Sequence, residues 1–219
     1  MFGLDSERKQ LERRMRDAGR LPPGQSATIK WPVLHVGPVP RFDAAKWDFR
    51  ISGLVEQPVR LTWADFTRLP MREVVADMHC VTRWSRFDVQ WEGVPFSEVA
   101  RLAQPKPEAR YVLVHAEHNY TSNVPLADLL APPALSKAEG SGAEGMRTEA
   151  LFALKHDGEP LPADHGYPLR LVVPHLYAWK SVKWVRGIEF LSEDQLGFWE
   201  QNGYHAYGDP FREQRFTSD

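Results

Sequence analysis

The chain has 219 residues, enough for one large domain or two small ones with a proper core. Its apolar content of 42%, charged content of 26% and formal net charge of −2 are those of an ordinary globular protein, and they exclude the broad basic field that binds nucleic acid or an anionic membrane. A single cysteine, Cys80, excludes an internal disulfide and a multi-cysteine zinc site, while eight tryptophans and 18 prolines favour short strands and loops over a helical bundle. Residues 1–20 are rich in charge with no apolar h-region, and no apolar run approaches the roughly 18 residues of a membrane span. A cytoplasmic protein without a transmembrane helix is expected.

Along the chain, Asp5 or Ser6 can cap a short peripheral helix with Leu11, Met15 and Ala18 on one stripe, closed by Gly19 and Pro22-Pro23-Gly24. Residues 31–40 (WPVLHVGPVP) are extended and punctuated by proline. Strands are predicted at 47–53 and 59–61, then a short helix opened by Thr62 with Asp65 at its third position. Residues 73–80 (EVVADMHC) read as a strand running into the only thiol, and 95–103 as a helix with Pro95 near its start. Further strands are predicted at 111–114, 120–124, 151–156, 169–174 and 185–191, with a last helix at 194–201. Residues 131–149 turn abruptly to Ala, Gly, Ser and Glu, as a mobile surface insertion would. The expected architecture is α+β. Its parts are a peripheral helix and linker at 1–24, the main domain at 25–192, and a helix and tail at 193–219.

Two places carry candidate chemistry. A lone cysteine is most often a small buried apolar residue. The alternatives for Cys80 are a thiolate nucleophile or a soft-metal ligand, with His79 and Arg83 close by to favour an anion. In an extended strand His79 points to the opposite face, which makes it a poor base for its neighbour. The second place is 164–184, DHGYPLRLVVPHLYAWKSVKW, with His165, Arg170, Lys180, Ser181 and Lys183. Such runs are commonly solvated loops, but Arg170 sits in apolar LRLVV, where a charge needs a partner. A phosphate group would supply one, with arginine as a fork and lysines as point charges. Lys180 is expected to be exposed.

Together these stretches resemble the oxidoreductase molybdopterin-binding domain shared by sulfite oxidases and the catalytic subunit of bacterial protein-methionine-sulfoxide reductases. The matching pieces are HVGPVP from His35, HCVTRWS around Cys80, DHGYPLRLVVP from Asp164 and WKSVKW from Trp179, in the family's order. The resemblance implies the sulfite-oxidase molybdopterin-binding fold, with mixed short-strand sheets, peripheral short helices and long loops. It also implies a molybdenum–molybdopterin cofactor with Cys80 as the metal's thiolate ligand. His165 and Arg170 stand where the family holds the pterin and its phosphate. Ser181, Val182 and Lys183 match the triplet that closes over the phosphate end; His35 lies in a loop on the pterin's other side, and His115 falls near a further contact. Arg83 resembles the basic residue that sulfite oxidases keep near the metal for an oxyanion, one residue out of register. His175-Leu176 replaces a glycine common in relatives. Set against the family, the sequence is expected to carry neither the C-terminal dimerisation domain of sulfite oxidases, nor the haem domain that some of them have, nor the export signal of the reductases.

The leading expectation is oxygen-atom transfer on a small anion or an S- or N-oxide, with a soluble electron-transfer partner and nothing that demands more than a monomer. Two other readings stay open at this point. One is a non-catalytic module that stores or delivers the pterin; the other is a hydrolase using Cys80 with His115 or His118.

Overall fold

The computed structural model describes residues 2–130 and 149–218. The insertion expected at 131–149 therefore lies outside the described residues, apart from Glu149. Two sheets, one of six strands and one of five, organise the chain.

Helix α1 (Phe2–Asp17) begins upstream of the expected caps at Asp5 and Ser6 and ends before Gly19, whose φ of 67° no helix continues. Met15 packs with Leu21, Ala27 and Phe87 in a small satellite core. Arg20 then makes a two-pronged bond to the buried Asp77 carboxylate, at 2.6 and 3.0 Å, which fixes the N-terminal segment to the sheet below.

The six-stranded sheet is built on a long hairpin, β4 (Arg72–Cys80) and β5 (Trp84–Pro95). On its other edge β5 pairs in parallel with β1 (Ser26–Ala27) at its start and antiparallel with β8 (Leu151–His156) at its end. Strand β8 continues to β9 (Glu159–Pro160) and to β10 (Arg170–Val172). Strand β5 is the central element and was not anticipated, although Phe87, Val89 and Trp91 alternate as a strand with one buried face should. The five-stranded sheet runs β3 (Val59–Thr62), β2 (Asp48–Gly53), β11 (Val185–Leu191), β6 (Tyr111–Ala116) and β7 (Thr121–Pro125), with only the β2–β11 pair parallel.

Between the sheets lies the main core. Phe49 and Ile51 from β2, Phe152 from β8, Leu171 from β10 and Phe190 from β11 meet there. Each such side chain contributes about 1.5–3 kcal/mol when fully buried. Helix α2 (Trp63–Phe66) delivers Phe66, and its start is the anticipated capping box, with Thr62 and Asp65 exchanging backbone bonds. Helix α3 (Phe96–Ala103) buries Phe96, Val99 and Ala103. Among the described residues no helix is long and apolar enough to cross a membrane.

The last helix is shorter than expected: α5 spans Phe198–Gln201, and residues 194–197 lie outside it. Asp194 is committed to Asn123 at 2.7 Å, and Gly197 lies so close to β7 that a Cβ would sit 2.6 Å from the Thr121 carbonyl oxygen. After α4 (Leu126–Leu130) the chain is next described at Glu149, and the Ala150 N–H donates to the Leu129 carbonyl at 3.2 Å.

Gly93 is where β5 must bulge to meet β8. A Cβ there would collide with the Phe152 carbonyl and approach the Ala153 Cα to 2.6 Å. Gly93→Ala is therefore expected to destabilise the protein by about 1–3 kcal/mol through overpacking against backbone. A urea melt that keeps its slope but shifts its midpoint down reads this directly, and an unchanged midpoint contradicts it.

Candidate active site

Strand β4 ends at Cys80, and a three-residue loop returns the chain to Trp84. Such a loop needs a left-handed residue at its last position, and Arg83 takes it with φ 73°. The loop is pinned from both ends of the chain. Gln25 Nε2 donates to the Cys80 carbonyl at 2.9 Å, and Arg215 Nη1 donates to the Val81 carbonyl at 2.8 Å. The Cys80 Sγ lies 3.1 Å from the Thr82 hydroxyl and faces a cavity of about 330 Å³.

Strand β10 brings a cation to the same cavity. Leu171 enters the main core, so its neighbour Arg170 points to the other face of the strand. There its guanidinium lies beside the Trp31–Trp91 pair, about 6 Å from each ring centroid. Arg170 is 3% exposed; its Nη1 donates to the His165 carbonyl at 3.0 Å, and its Nε has no partner among the described residues. Burial lowers its pKa to about 10, which still leaves it charged near neutrality.

His165 closes a single 3₁₀ turn and stacks on Trp31, with ring centroids 3.8 Å apart. Its Nδ1 is buried and also lacks a partner among the described residues. Burial, followed by the charges of Lys183 and Arg170, brings its pKa down to about 4, so the ring is neutral. Lys183 Nζ bonds the carbonyls of Leu34 and Asp164, at 2.9 and 2.6 Å, joining the 31–36 segment to this turn. Burial and then the Arg170 charge lower its pKa to about 7. Ser181 Oγ accepts from the Val173 N–H at 2.9 Å, leaving its own proton for a ligand. Val182 and His35 complete this wall.

Seven of the residues singled out from sequence thus share one cavity: His35, Cys80, His165, Arg170, Ser181, Val182 and Lys183. Two do not join them. Arg83 is turned outward by its left-handed corner, and its Nη1 lies against Gly24, 2.8 Å from where a Cβ would stand. His115 follows the inward-facing Val112 and Val114 on β6 and so points the other way, to Glu189 at 3.1 Å. His118 is held by the Pro38 carbonyl at 2.7 Å. Neither histidine lines the cavity, so the base that a Cys80 hydrolase was expected to take from His115 or His118 is not at the site. His79 faces away as expected, buried against Ser85 at 2.8 Å.

Lys180 corrects the expectation of an exposed charge. It is wholly buried and pairs with Glu200 at 2.6 Å, because its side chain points away from the cavity that its two neighbours line. Sequence reading also missed the aromatic wall formed by Tyr120, Trp179, Trp199 and Tyr204. Trp199 and Tyr204 belong to the C-terminal segment, and burial together with the nearby Cys80 raises the Tyr204 pKa. The aromatic density of residues 198–207 was the available signal.

The donor set suits a large anionic cofactor that itself supplies most of a metal's ligands. Among the described residues no group of three or more His, Cys, Asp or Glu gathers to hold a metal on protein ligands alone. Instead, among the described residues that line the cavity, there is one thiol, two cations and three buried nitrogen atoms without a partner, on Trp84, His165 and Arg170. Residues 36–199 match the oxidoreductase molybdopterin-binding domain. The chain belongs to that family. It is a molybdenum-cofactor oxidoreductase with the sulfite-oxidase-like fold, and the orphaned nitrogens of Arg170 and His165 fit such a cofactor.

Among its relatives is the uncharacterized oxidoreductase YuiH of Bacillus subtilis, 47% identical over 203 residues, a match that covers 92% of this chain and 94% of that one. The protein-methionine-sulfoxide reductase catalytic subunit MsrP of Gluconobacter oxydans is 33% identical over 175 residues. That match covers 76% of this chain but 54% of MsrP, so the chain spans about half the length of that relative. The crystal structure of the sulfane dehydrogenase SoxCD from Paracoccus pantotrophus shares the fold, with a TM-score of 0.60 at 21% identity over 80% of this chain and 46% of that one.

With its pKa near 7, Lys183 loses its charge just above neutrality in the cofactor-free protein. Sulfate bound at this cradle should keep a constant affinity below pH 7 and weaken by up to about tenfold per pH unit above it, since the proton it favours is progressively absent. Lys183→Met should flatten that profile. Sulfate protection against thermal unfolding, followed from about pH 6 to 9, measures it.

Proposed function

We propose that the cavity holds the molybdenum cofactor with the Cys80 thiolate as the protein's ligand to the metal, and that the enzyme moves an oxygen atom to or from a small neutral S- or N-oxide. The reading rests above all on one observation: a lone cysteine sulfur shares a cavity with a buried arginine whose Nε has no partner among the described residues. When bound, the cofactor supplies the two-electron oxygen-atom transfer and a thiolate is the softest side chain available to its metal.

The chain's own residues divide the remaining work. Arg170 and Lys183 present charge and donors to the cofactor's phosphate, and Ser181 offers a hydroxyl proton. His165, neutral at pH 7, is a donor or acceptor for the pterin without adding charge. Trp31 covers the stack and shields Arg170 from water. His35, in the facing segment, borders the same space.

The preference for a neutral substrate follows from the cations. Arg170 and Lys183 are the only arginine and lysine lining the cavity among the described residues, and both are assigned to the cofactor. The rest of the lining includes Thr82, Met78, Val81, Glu117 and several aromatic rings, with no further arginine or lysine among the described residues. An oxyanion would find no further cation there, whereas a sulfoxide or amine oxide is neutral and suits aromatic faces. The electrons pass to or from a soluble partner protein. A reducing cytoplasm suits a cysteine that must stay a thiolate ligand.

Cys80→Ser is expected to retain molybdopterin within about twofold while turnover of dimethyl sulfoxide with a reduced dye falls about 100-fold or more. Full turnover in that variant removes Cys80 as ligand. Arg170→Ala should instead cost molybdopterin itself, measured as the fluorescent oxidised pterin.

Arg83→Met bears on the kind of substrate. The KM values for dimethyl sulfoxide and for sulfite should both stay within about twofold of wild type, because the guanidinium lies outside the cavity. A rise for sulfite alone returns Arg83 to the substrate path. A wild-type kcat/KM for sulfite above that for sulfoxides overturns the neutral-substrate reading.

A further inference from the structure

Lys180 stands between two residues that line the cavity, Trp179 and Ser181, yet its own side chain runs the opposite way into the protein. Its Nζ lies 2.6 Å from Glu200 Oε1, and it donates to the Asn123 carbonyl and Oδ1, both at 2.8 Å, and to the Ala206 carbonyl at 2.6 Å. One ammonium therefore joins β7, α5 and the C-terminal segment to the cofactor-facing stretch. The same Glu200 Oε1 accepts from the Trp179 indole N–H at 2.8 Å.

Three of the aromatic side chains that line the cavity with Cys80 are tied to this pair. Trp179 is held by Glu200 directly. Trp199 is the residue before Glu200 on α5, and Tyr204 lies two residues before Ala206. Tyr204 stacks on Trp199 at 4.8 Å and meets Trp179 edge-on at 5.1 Å. A buried ion pair is a poor source of net stability compared with apolar side chains of similar volume, but its directed bonds fix a geometry that greasy packing does not.

We propose that Lys180 and Glu200 are a positioning pair for substrate, which sets the aromatic wall of Trp179, Trp199 and Tyr204 opposite the Cys80 sulfur while leaving cofactor retention to Arg170, Ser181 and Lys183. This rests on the reading that the cavity holds the cofactor and that substrate approaches at Cys80. Neither Lys180 nor Glu200 lines the cavity, so their effect passes through the aromatic side chains they hold.

The test uses purified holoenzyme carrying Glu200→Gln, and a second variant, Lys180→Met with Glu200→Gln, which removes both buried charges together and guards against a fold lost to one unpaired charge. Three quantities are read: molybdopterin content, the near-ultraviolet circular dichroism of the tryptophan band, and kcat and KM for dimethyl sulfoxide with a reduced dye. Expected in both variants are molybdopterin within about twofold of wild type and a KM raised about tenfold with kcat changed less than about threefold. The tryptophan band should weaken by about a third while the far-ultraviolet signal is kept. An unchanged tryptophan band with unchanged KM overturns the proposal, because the pair then positions nothing. Molybdopterin lost in parallel with the band also overturns it, since the pair then belongs to the cofactor cradle. If wild-type enzyme turns over no oxide at all, the sulfoxide reading fails on its own, and the band and the molybdopterin content still decide the pair.

Discussion

A guanidinium buried without a carboxylate is the constraint around which the rest of this molecule is arranged. Among the described residues Arg170 makes no ion pair, and a backbone carbonyl and two indole faces are its partners. A buried charge left so lightly compensated is costly, and the cost falls when an anion arrives from outside. The fold keeps Arg170 in place by backbone alternation, since Leu171 beside it is locked into the main core. Trp31 and His165 then form a lid over it, and Lys183 staples that lid to the facing segment. Any anion that binds at Arg170 therefore links its affinity to protein stability, because it also compensates a costly buried charge.

The two buried cations of the 164–184 stretch show how context divides residues of similar chemistry. Arg170 and Lys180 both have almost no exposure, yet one faces the cavity and the other an internal carboxylate. Three hydrogen bonds and Glu200 saturate Lys180, which leaves it no capacity for a ligand. The distinction is one of partner, not of residue type.

Much of this was legible in the sequence where a local rule applied. The capping box at Thr62, the strand running into Cys80 and the helix after Pro95 each follow from chemistry within a few residues. Arg170 stood out because an arginine in an apolar run demands a partner, while Ser181 and Val182, which line the same cavity, were singled out through the family resemblance. What escaped depended on distant contacts. The length of α5 is set by β7, which holds Asp194 and crowds Gly197. The direction of Lys180 is set by Glu200, and that of Arg83 by the left-handed corner of a three-residue loop. Strand β5 was readable from alternation alone, but its polar positions, among them Arg86 and Asp88, masked a strand that crosses the whole sheet.

The bond from Ala150 to Leu129 fixes the exit and return of the chain on either side of residues 131–148. Their separation is therefore set by the fold and not by the number of residues between them. Closing a loop whose ends are already held costs only about 0.6 kcal/mol more for each doubling of its length. By that arithmetic the fold tolerates a connection of different length between Leu129 and Ala150, at the far ends of β4 and β10 from Cys80 and Arg170.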